Sequence, residues 1–305
     1  MALMVLLLPG CAGDRQSYTP SETLPPPTPF SAGSAWNVPI PTSPVLDGRS
    51  TEVISYLAGG ATPGVANLYQ YGVPIYEADA STPRYSVNCL RDWGVCGLHQ
   101  ELVPVPLGAV PSPGSDGAMV VVDSVTRRSF EFYKAERRLD GGWQAAWGGV
   151  VDLDGPGTPG AAVGAGVSRL AGVVRATEIA RGRIDHALVF STDNACTGTY
   201  RYPASKTDGR SPRPDCIPEG ARIQLHPDVD IDALGLPPAE RAVAHALQTY
   251  GAYAIDNGGA HMAFIFENPT GEADPYSAAG LRWDYFAMDA IPWQSLRLLR
   301  QWNGG

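Results

Sequence analysis

Residues 252–266 read Ala-Tyr-Ala-Ile-Asp-Asn-Gly-Gly-Ala-His-Met-Ala-Phe-Ile-Phe, with an apolar run on each side of Asn257-Gly258. Asn-Gly between two apolar runs is the usual signal of a tight β-hairpin turn, because both residues tolerate positive φ. The runs at 252–255 and 261–266 therefore predict two adjacent strands.

The same pattern of short runs bounded by turn residues continues along the chain. Further strands are predicted at residues 119–123, 130–135, 143–153, 183–190 and 221–225. Helical spacing is confined to residues 237–251, which open with two prolines and close with a glycine, and to shorter stretches at 51–57 and 170–181. We expect a mainly β fold, a largely antiparallel β-sandwich or jelly roll with a few short helices.

Composition limits the alternatives. Of 305 residues, 35 are Gly and 28 are Pro, and only 17% are charged. So many helix breakers exclude a coiled coil or a helical repeat. The 44% of apolar residues suffices for a folded core, and residues 30–305 are predicted to form a single domain.

Charge argues against nucleic acid as a partner. The net charge of −9 is spread over the chain without a basic stripe. After residue 11, no apolar run approaches the ~20 residues that span a bilayer. Contact with a membrane is expected only through a lipid anchor.

The N-terminus predicts such an anchor. Residues 1–11 are mostly apolar and end in Leu-Pro-Gly-Cys, which resembles a bacterial lipoprotein signal with Cys11 as the lipidated residue. Residues 12–29 are rich in proline and predict an extended spacer. We expect an exported protein, lipid-anchored to the cell envelope or secreted.

Four cysteines remain after Cys11, an even number in a chain that is expected to be exported. Disulfides are therefore predicted. Three pairings are possible, and the local one, Cys89 with Cys96 and Cys196 with Cys216, is preferred. Neither CxxC nor HxxxH spacing supports a zinc site, so no metal is predicted.

Sequence motifs of other enzyme classes are missing. The chain has no G-x-S-x-G motif, and the glycine-rich residues 155–166 carry neither the phosphate-loop lysine nor a dinucleotide fingerprint. That stretch is expected to be a flexible surface loop. No cofactor is predicted.

Five residues are candidates for catalysis: Asp256, Asp79, His186, Glu131 and Asp152. Asp256 shares a strand face with two alanines that leave room for a ligand, and Asp79 precedes a proline-containing turn. We expect these two to form the catalytic pair, with Glu131 and Asp152 as substitutes. His186 is expected to orient one carboxylate. Turn capping by the aspartates and a core position for the histidine are the alternatives.

Four residues are candidates for substrate binding: Tyr85, Arg84, Trp143 and Gln144. Aromatic rings stack on the C–H faces of sugars, while fixed polar groups bind the hydroxyls. Tyr85 and Trp143 are expected to shape a subsite, and their neighbours to supply polar contacts. A polysaccharide or oligosaccharide is the expected partner.

Four segments resemble one family of secreted bacterial and fungal proteins that has no settled activity. They are residues 182–188 (GRIDHAL), 217–225 (IPEGARIQL), 246–259 (ALQTYGAYAIDNGG) and 291–297 (IPWQSLR). The resemblance implies a single exported domain, and it implies no catalytic role for any residue.

The expected function is that of a glycoside hydrolase acting on an extracellular or cell-envelope polysaccharide by a two-carboxylate mechanism. One alternative is a polysaccharide lyase, in which Tyr85 or His186 removes a proton next to a uronate carboxyl that Arg84 or Arg222 neutralises. The other is a glycan-binding surface lipoprotein without activity.

Overall fold

The computed structural model describes residues 28–270 and 274–301. The described residues contain the helices α1 (Ser50–Leu57), α2 (Ala176–Arg181) and α3 (Pro238–Thr249). Their strands are β1 (Gly64–Asn67), β2 (Val73–Ala78), β3 (Arg84–Cys89), β4 (Leu102–Pro104), β5 (Met119–Asp123), β6 (Arg128–Tyr133), β7 (Glu136–Arg137), β8 (Trp143–Ala145), β9 (Trp147–Asp152), β10 (Leu188–Thr192), β11 (Ala195–Tyr200), β12 (Ile217–Glu219), β13 (Arg222–Leu225), β14 (Ala252–Asn257), β15 (Met262–Ile265), β16 (Glu267–Asn268), β17 (Phe286–Ala287) and β18 (Leu296–Leu298).

The largest sheet has seven strands in the order β17-β1-β15-β10-β14-β13-β18. Its middle strand, β10, carries Leu188, Val189 and Phe190, which are all buried. A continuous apolar run of this kind suits a strand that is covered on both faces. The sheet is mixed, since β10 runs parallel to β14 and antiparallel to β15.

The hairpin predicted at Asn257-Gly258 does not form. Strand β10 lies between β14 and β15, so the two runs that flank this turn are neighbours of β10 and not of each other. The connection therefore crosses two strand spacings, about 9–10 Å. The Asn-Gly pair correctly indicates a turn. A local pattern cannot show that β10, which is distant in the sequence, lies between the two flanking strands.

Two smaller sheets continue the structure. Five strands pair in the order β16-β2-β5-β6-β9 and four in the order β4-β3-β8-β7, while β11 and β12 form a separate pair. Parallel pairing recurs here, between β2 and β5 and between β3 and β8. The mainly β, sandwich-like fold with a few short helices is confirmed, and its sheets are mixed where largely antiparallel ones were expected.

Three apolar clusters hold the layers together. The first packs α1 and α3 onto one face of the seven-stranded sheet, where Leu188 and Phe190 point. The second joins the opposite face, through Val189, to Val120 of the five-stranded sheet. The third joins the far face of that sheet, through Val121, to the four-stranded sheet. Alternate residues of β10 and β5 thus enter different clusters, as the two-residue period of a strand requires.

The predicted disulfide pairing is confirmed: Cys89 bonds to Cys96 and Cys196 to Cys216. Disulfides persist in oxidising environments, so an extracellular setting is indicated. Cys11, the predicted signal and most of the predicted spacer lie outside the described residues. Within the described ranges, no helix combines the length and apolar character needed to cross a membrane.

The two disulfides should contribute unequally to stability. Replacing Cys196 and Cys216 by alanine opens a loop with a sequence separation of 20 and should lower the free energy of unfolding by about 3 kcal/mol. Replacing Cys89 and Cys96, with a separation of 7, should cost about 2 kcal/mol, because a shorter loop restricts the unfolded chain less. Urea unfolding of both double variants measures the difference, and a larger loss from the short loop would contradict this account.

Candidate functional site

Two adjoining cavities, of about 420 Å³ and about 390 Å³, form one cleft. We call them the first and the second chamber. Five residues line both: Asp116, Val163, Arg169, Asp256 and Asn257. Three of these five side chains are ionisable, so polar groups converge where the chambers meet, as expected of a binding or catalytic site.

Asp256 stands in this shared wall near the end of β14. Its Oδ1 accepts a hydrogen bond of 3.1 Å from the Asn257 N–H. Burial raises the pKa of Asp256 to about 7, and the charge of Asp208 acts in the same direction, while Arg169 opposes both. Near neutral pH the carboxyl therefore holds its proton in a substantial fraction of molecules.

Asp208 and Glu219 complete a cluster with Asp256. One carboxylate oxygen from each of the three lies within 4.8 Å of the other two. Glu219 is fully buried on β12, and its Oε2 accepts a hydrogen bond of 3.2 Å from the Asp208 N–H. Burial, followed by the adjacent Asp208 carboxylate, raises the pKa of Glu219 to about 8. Glu219 therefore retains its proton at neutral pH.

The second oxygen of Glu219 supports a proton at this position. Glu219 Oε1 is buried and has no hydrogen-bond partner among the described residues. An unpartnered buried oxygen is costly, and a charged one more so. A neutral, protonated carboxyl reduces that cost, and a hydrogen bond between the Glu219 and Asp208 carboxyl groups, which also raises the pKa of Glu219, is consistent with a shared proton.

The segment at residues 163–166 makes room for the cluster. A Cβ on Gly164 would lie 2.7 Å from Asp256 Oδ1 and closer still to Asp208. The Ala165 N–H donates to the Ile255 carbonyl at 2.8 Å, which fixes the segment against β14. Residues 162–166 are buried, so this part of the stretch 155–166 is not the surface loop that was expected.

Asp208 is positioned by its surroundings, since it lies outside every strand. The Cys196–Cys216 disulfide closes the chain segment that carries it. The Asn257 N–H donates to Asp208 Oδ1 at 3.1 Å. The side chain itself is exposed to solvent and lines the second chamber. It can therefore contact a ligand there.

Arg169 is a cation whose charge acts on Asp256, and it depends on Glu131 for its position. The Arg169 N–H donates to Glu131 Oε2 at 2.7 Å, and Ser168 Oγ donates to the other oxygen. Glu131 is fully buried, and burial raises its pKa against the effect of these hydrogen bonds. It lines neither chamber, so the structure places it as a support of the Arg169 turn.

Aromatic side chains line both ends of the cleft. In the second chamber, Trp93 lies 6.3 Å from Tyr133 and 5.9 Å from Trp147 between ring centroids. Trp93 is 61% exposed, although the Cys89–Cys96 disulfide closes the loop that carries it. In the first chamber, Tyr71 and Tyr285 lie 6.3 Å apart. Exposed rings of this kind are suited to stacking on a sugar.

His186 lines a separate cavity of about 360 Å³. Its Nδ1 donates to the Ala187 carbonyl at 2.9 Å, and its Nε2 lies 3.1 Å from Glu178 Oε2. Burial alone would lower the pKa of His186, but the hydrogen bond and charge of Glu178 outweigh it and raise the pKa. Both ring nitrogens are thus engaged, and the histidine is not brought to the carboxylate cluster.

The remaining catalytic candidates cap turns outside the cleft. Asp79 is exposed and accepts hydrogen bonds from the N–H and hydroxyl of Ser81 at 2.9 and 2.7 Å, which lower its pKa. Asp152 is exposed and accepts from the Asp154 N–H at 2.9 Å. Neither lines either chamber. The structure does not bring Asp79 together with Asp256, because a short loop after β2 holds it in a local turn.

The four expected substrate-binding residues also lie outside the chambers. Arg84 pairs with the buried Asp123 at 2.9 Å, and Gln144 donates to Glu136 at 2.8 Å. Trp143 is 2% exposed and packs against Phe132, while Tyr85 is half-buried against the same cluster. The presence of an aromatic residue in the sequence does not show whether its ring lies in the core, as that of Trp143 does, or lines the cleft.

Sequence reasoning missed Asp208, Glu219, Arg169 and Trp93. Weak signals existed for two of them: Asp208 lies in the polar loop between Cys196 and Cys216, and Glu219 lies in the Ile-Pro-Glu-Gly segment at residues 217–220. Only the folded chain shows that these segments meet Asp256. The three carboxylates could also hold a hard cation such as Ca²⁺, which takes oxygen ligands.

Comparison of the chain with protein-family models, with curated proteins and with solved structures finds no match. The resemblance to secreted bacterial and fungal proteins therefore stays a prediction. Any conclusion about function therefore depends on the geometry of the cleft.

Protonated Glu219 should make stability depend on pH. Its pKa is raised from 4.5 to about 8, so between these values the unfolded chain has released a proton that the folded protein keeps. The contribution of this carboxyl to the free energy of unfolding is therefore fully present below about pH 4.5 and decreases as the pH rises towards 8. Glu219→Gln should reduce this decrease, measured by urea unfolding at several pH values.

Glu52→Gln is the matched control, because Glu52 is exposed on α1 and its side chain forms no hydrogen bond or ion pair among the described residues. It should leave the pH dependence unchanged. Equal pH dependence in Glu219→Gln and the original protein would contradict proton sharing. A rise in melting temperature with added Ca²⁺ that Glu219→Gln abolishes would instead favour a cation at the cluster.

Proposed function

We propose that this protein is a glycoside hydrolase in which Asp256 is the general acid and Asp208 the nucleophile. The observation that carries the proposal is Asp256 itself, a carboxyl with a pKa near 7 beside Asp208, in the wall of an aromatic-lined cleft. Hydrolysis of a glycosidic bond needs such a pair of carboxyl groups in different protonation states.

The first step would use the proton on Asp256. As the bond between the anomeric carbon and the leaving oxygen breaks, Asp256 donates its proton to that oxygen. Asp208 attacks the anomeric carbon from the other side and forms an ester with the sugar. The alcohol part of the glycan then leaves as a neutral product.

The second step would restore the protein. Asp256, now a carboxylate, takes a proton from a water molecule as that water attacks the anomeric carbon. The ester bond to Asp208 breaks, and the sugar leaves with a hydroxyl group. Oxygens of the two carboxyl groups lie within 4.8 Å of each other, which is less than the about 6.5–9.5 Å that inverting enzymes need for a water between the carboxyl groups, so a retaining mechanism is favoured.

Glu219 would act through Asp208. As a buried, protonated carboxyl, it can donate a hydrogen bond to one Asp208 oxygen and leave the other free to attack. This makes Glu219 a positioning residue. Arg169 would limit the rise of the Asp256 pKa, because its positive charge favours the ionised form that the second step needs.

The hydrolase explains the cleft better than the two alternatives. A lyase that used His186 would need this base in the cleft, whereas it lines another cavity with both nitrogens engaged. Tyr85 lies outside the chambers as well. A glycan-binding protein without activity would also need the aromatic rings. It would not need a protonated Asp256 beside Asp208.

The setting of the reaction is part of the proposal. Two disulfides indicate an oxidising environment. Residues 1–11 resemble a lipoprotein signal, and the following residues are rich in proline. We therefore place the protein outside the cytoplasm, anchored through Cys11 or secreted, with an extracellular or cell-envelope polysaccharide as its substrate.

Substitution of the two aspartates tests the proposal on a panel of purified neutral and acidic polysaccharides. Asp256→Asn and Asp208→Asn should each lower kcat by about 10²–10⁴-fold, because each removes one half of the acid–nucleophile pair. Released reducing ends are the readout. Melting temperatures should change little, since asparagine resembles the neutral carboxyl in size.

The control is Asp228→Asn, an exposed carboxylate outside the cleft, which should keep full activity. Asp79→Asn separates the cleft pair from the pair expected from sequence. Loss of turnover in Asp79→Asn with full activity in Asp208→Asn would contradict the assignment. Unsaturated products, detected by their absorbance, would favour the lyase.

The pH profile should report the acid. Because Asp256 must be protonated in the first step, kcat/KM should fall as the pH rises above about 7. The charge of Asp116 contributes to the raised pKa of Asp256, so Asp116→Asn should move this decline to lower pH. A decline at the same pH in both proteins would show that another group controls it.

A further inference from the structure

The second chamber gathers positive charge in a protein whose net charge is −9. Arg169, Lys206 and Arg210 all line it, together with Asp208. We call these three residues the cationic wall. The acidic residues of the chamber are Asp116, Asp208 and Asp256. With Asp256 protonated, the charges of the cationic wall outnumber those of its acidic neighbours.

Arg169 has an unsatisfied donor in this wall. The residue is 7% exposed, and its Nη2 donates to the Ala162 carbonyl. Its Nε is buried without a hydrogen-bond partner among the described residues. A buried guanidinium donor that lacks an acceptor is unfavourable. An anion bound in the chamber that Arg169 lines would offset the uncompensated positive charge of this residue.

Lys206 and Arg210 are free to contact a ligand. Both are exposed, and within residues 28–270 and 274–301 neither side chain forms an ion pair with a carboxylate. They lie two residues before and two residues after Asp208, on the segment that the Cys196–Cys216 disulfide closes. The cations therefore flank the proposed nucleophile.

More cations lie beside the aromatic rings of the same chamber. The guanidinium carbon of Arg91 is 6.0 Å from the centroid of the Trp93 ring, and the Lys134 Nζ is 5.5 Å from that of Tyr133. Arg91 lies over the Trp93 ring, so a sugar that contacts these aromatic rings would lie close to positive groups. That arrangement suits a ring that carries a carboxylate better than a neutral ring.

We infer that the second chamber binds an acidic polysaccharide, with uronate carboxylates held by Arg169, Lys206 and Arg210 and an adjacent ring stacked on Trp93. The inference rests on the proposed function, since it names the substrate class for the same cleft. Arg169 adds positive charge to the chamber wall, and Lys206 and Arg210 offer exposed donors two residues before and two residues after Asp208.

Binding measurements test this inference separately from the reaction. Asp256→Asn protein, in which turnover should be slowed about 10²–10⁴-fold, is titrated calorimetrically with polygalacturonate, with its carboxyl-reduced neutral form and with dextran sulfate. Polygalacturonate should bind at least about tenfold more tightly than the reduced polymer, and its affinity should fall as salt is added.

The double variant Lys206→Gln/Arg210→Gln, made in the Asp256→Asn protein, should weaken polygalacturonate binding by about tenfold or more and leave the reduced polymer unaffected. Arg241→Gln is the matched control, because Arg241 is an exposed arginine on α3, outside the cleft. It should bind like the parent protein.

Equal binding of the reduced polymer would overturn the inference, and tighter binding of dextran sulfate would overturn the uronate assignment. Release of reducing ends by the original protein is scored in parallel. Cleavage of neutral glycans alone would support the hydrolase proposal and contradict an acidic polysaccharide as its substrate. Specific binding of polygalacturonate without any cleavage would support an acidic polysaccharide as the ligand and contradict the hydrolase proposal.

Discussion

The burial of the Glu219 carboxyl beside Asp208 and Asp256 is the constraint on which the cleft depends. Three negative charges could not occupy this space together, because burial and mutual repulsion disfavour ionisation. Protonation of Glu219, with a pKa near 8, relieves the repulsion and fixes the neighbouring carboxylate. The absence of a side chain at Gly164 then leaves space for the cluster.

The sheets form a scaffold, and the groups that give the cleft its chemistry lie mainly in the connections between strands. Each of the two disulfides closes one such connection, the first around Trp93 and the second around Asp208. Glu131 fixes a third through the backbone of Arg169. Irregular segments can carry precise geometry when covalent bonds or buried hydrogen bonds restrain them.

Local sequence signals predicted several of the strands, the long helix and the disulfide pairing, because each depends on residues that are close in the chain, although the strand predicted at 183–190 begins only at Leu188. Asp256, a candidate chosen from the same local signals, lies in the wall of the cleft. The insertion of β10 between β14 and β15 could not be predicted in this way, since it depends on pairing between distant segments. Asp79 illustrates the same limit. Its surroundings resemble a polar site in sequence, and only the fold shows that Ser81 and Thr82 both donate hydrogen bonds to its Oδ1.

The central claim is that the cleft holds a protonated Asp256 beside Asp208. Carboxyl ¹³C NMR of the purified protein, with the Asp256 signal assigned from Asp256→Asn, measures the pKa of this group directly. The account predicts an apparent pKa of about 7, and a lower value in Asp208→Asn, where the neighbouring charge is gone. Titration of Asp256 near its ordinary value of 3.8, unchanged by Asp208→Asn, would contradict it.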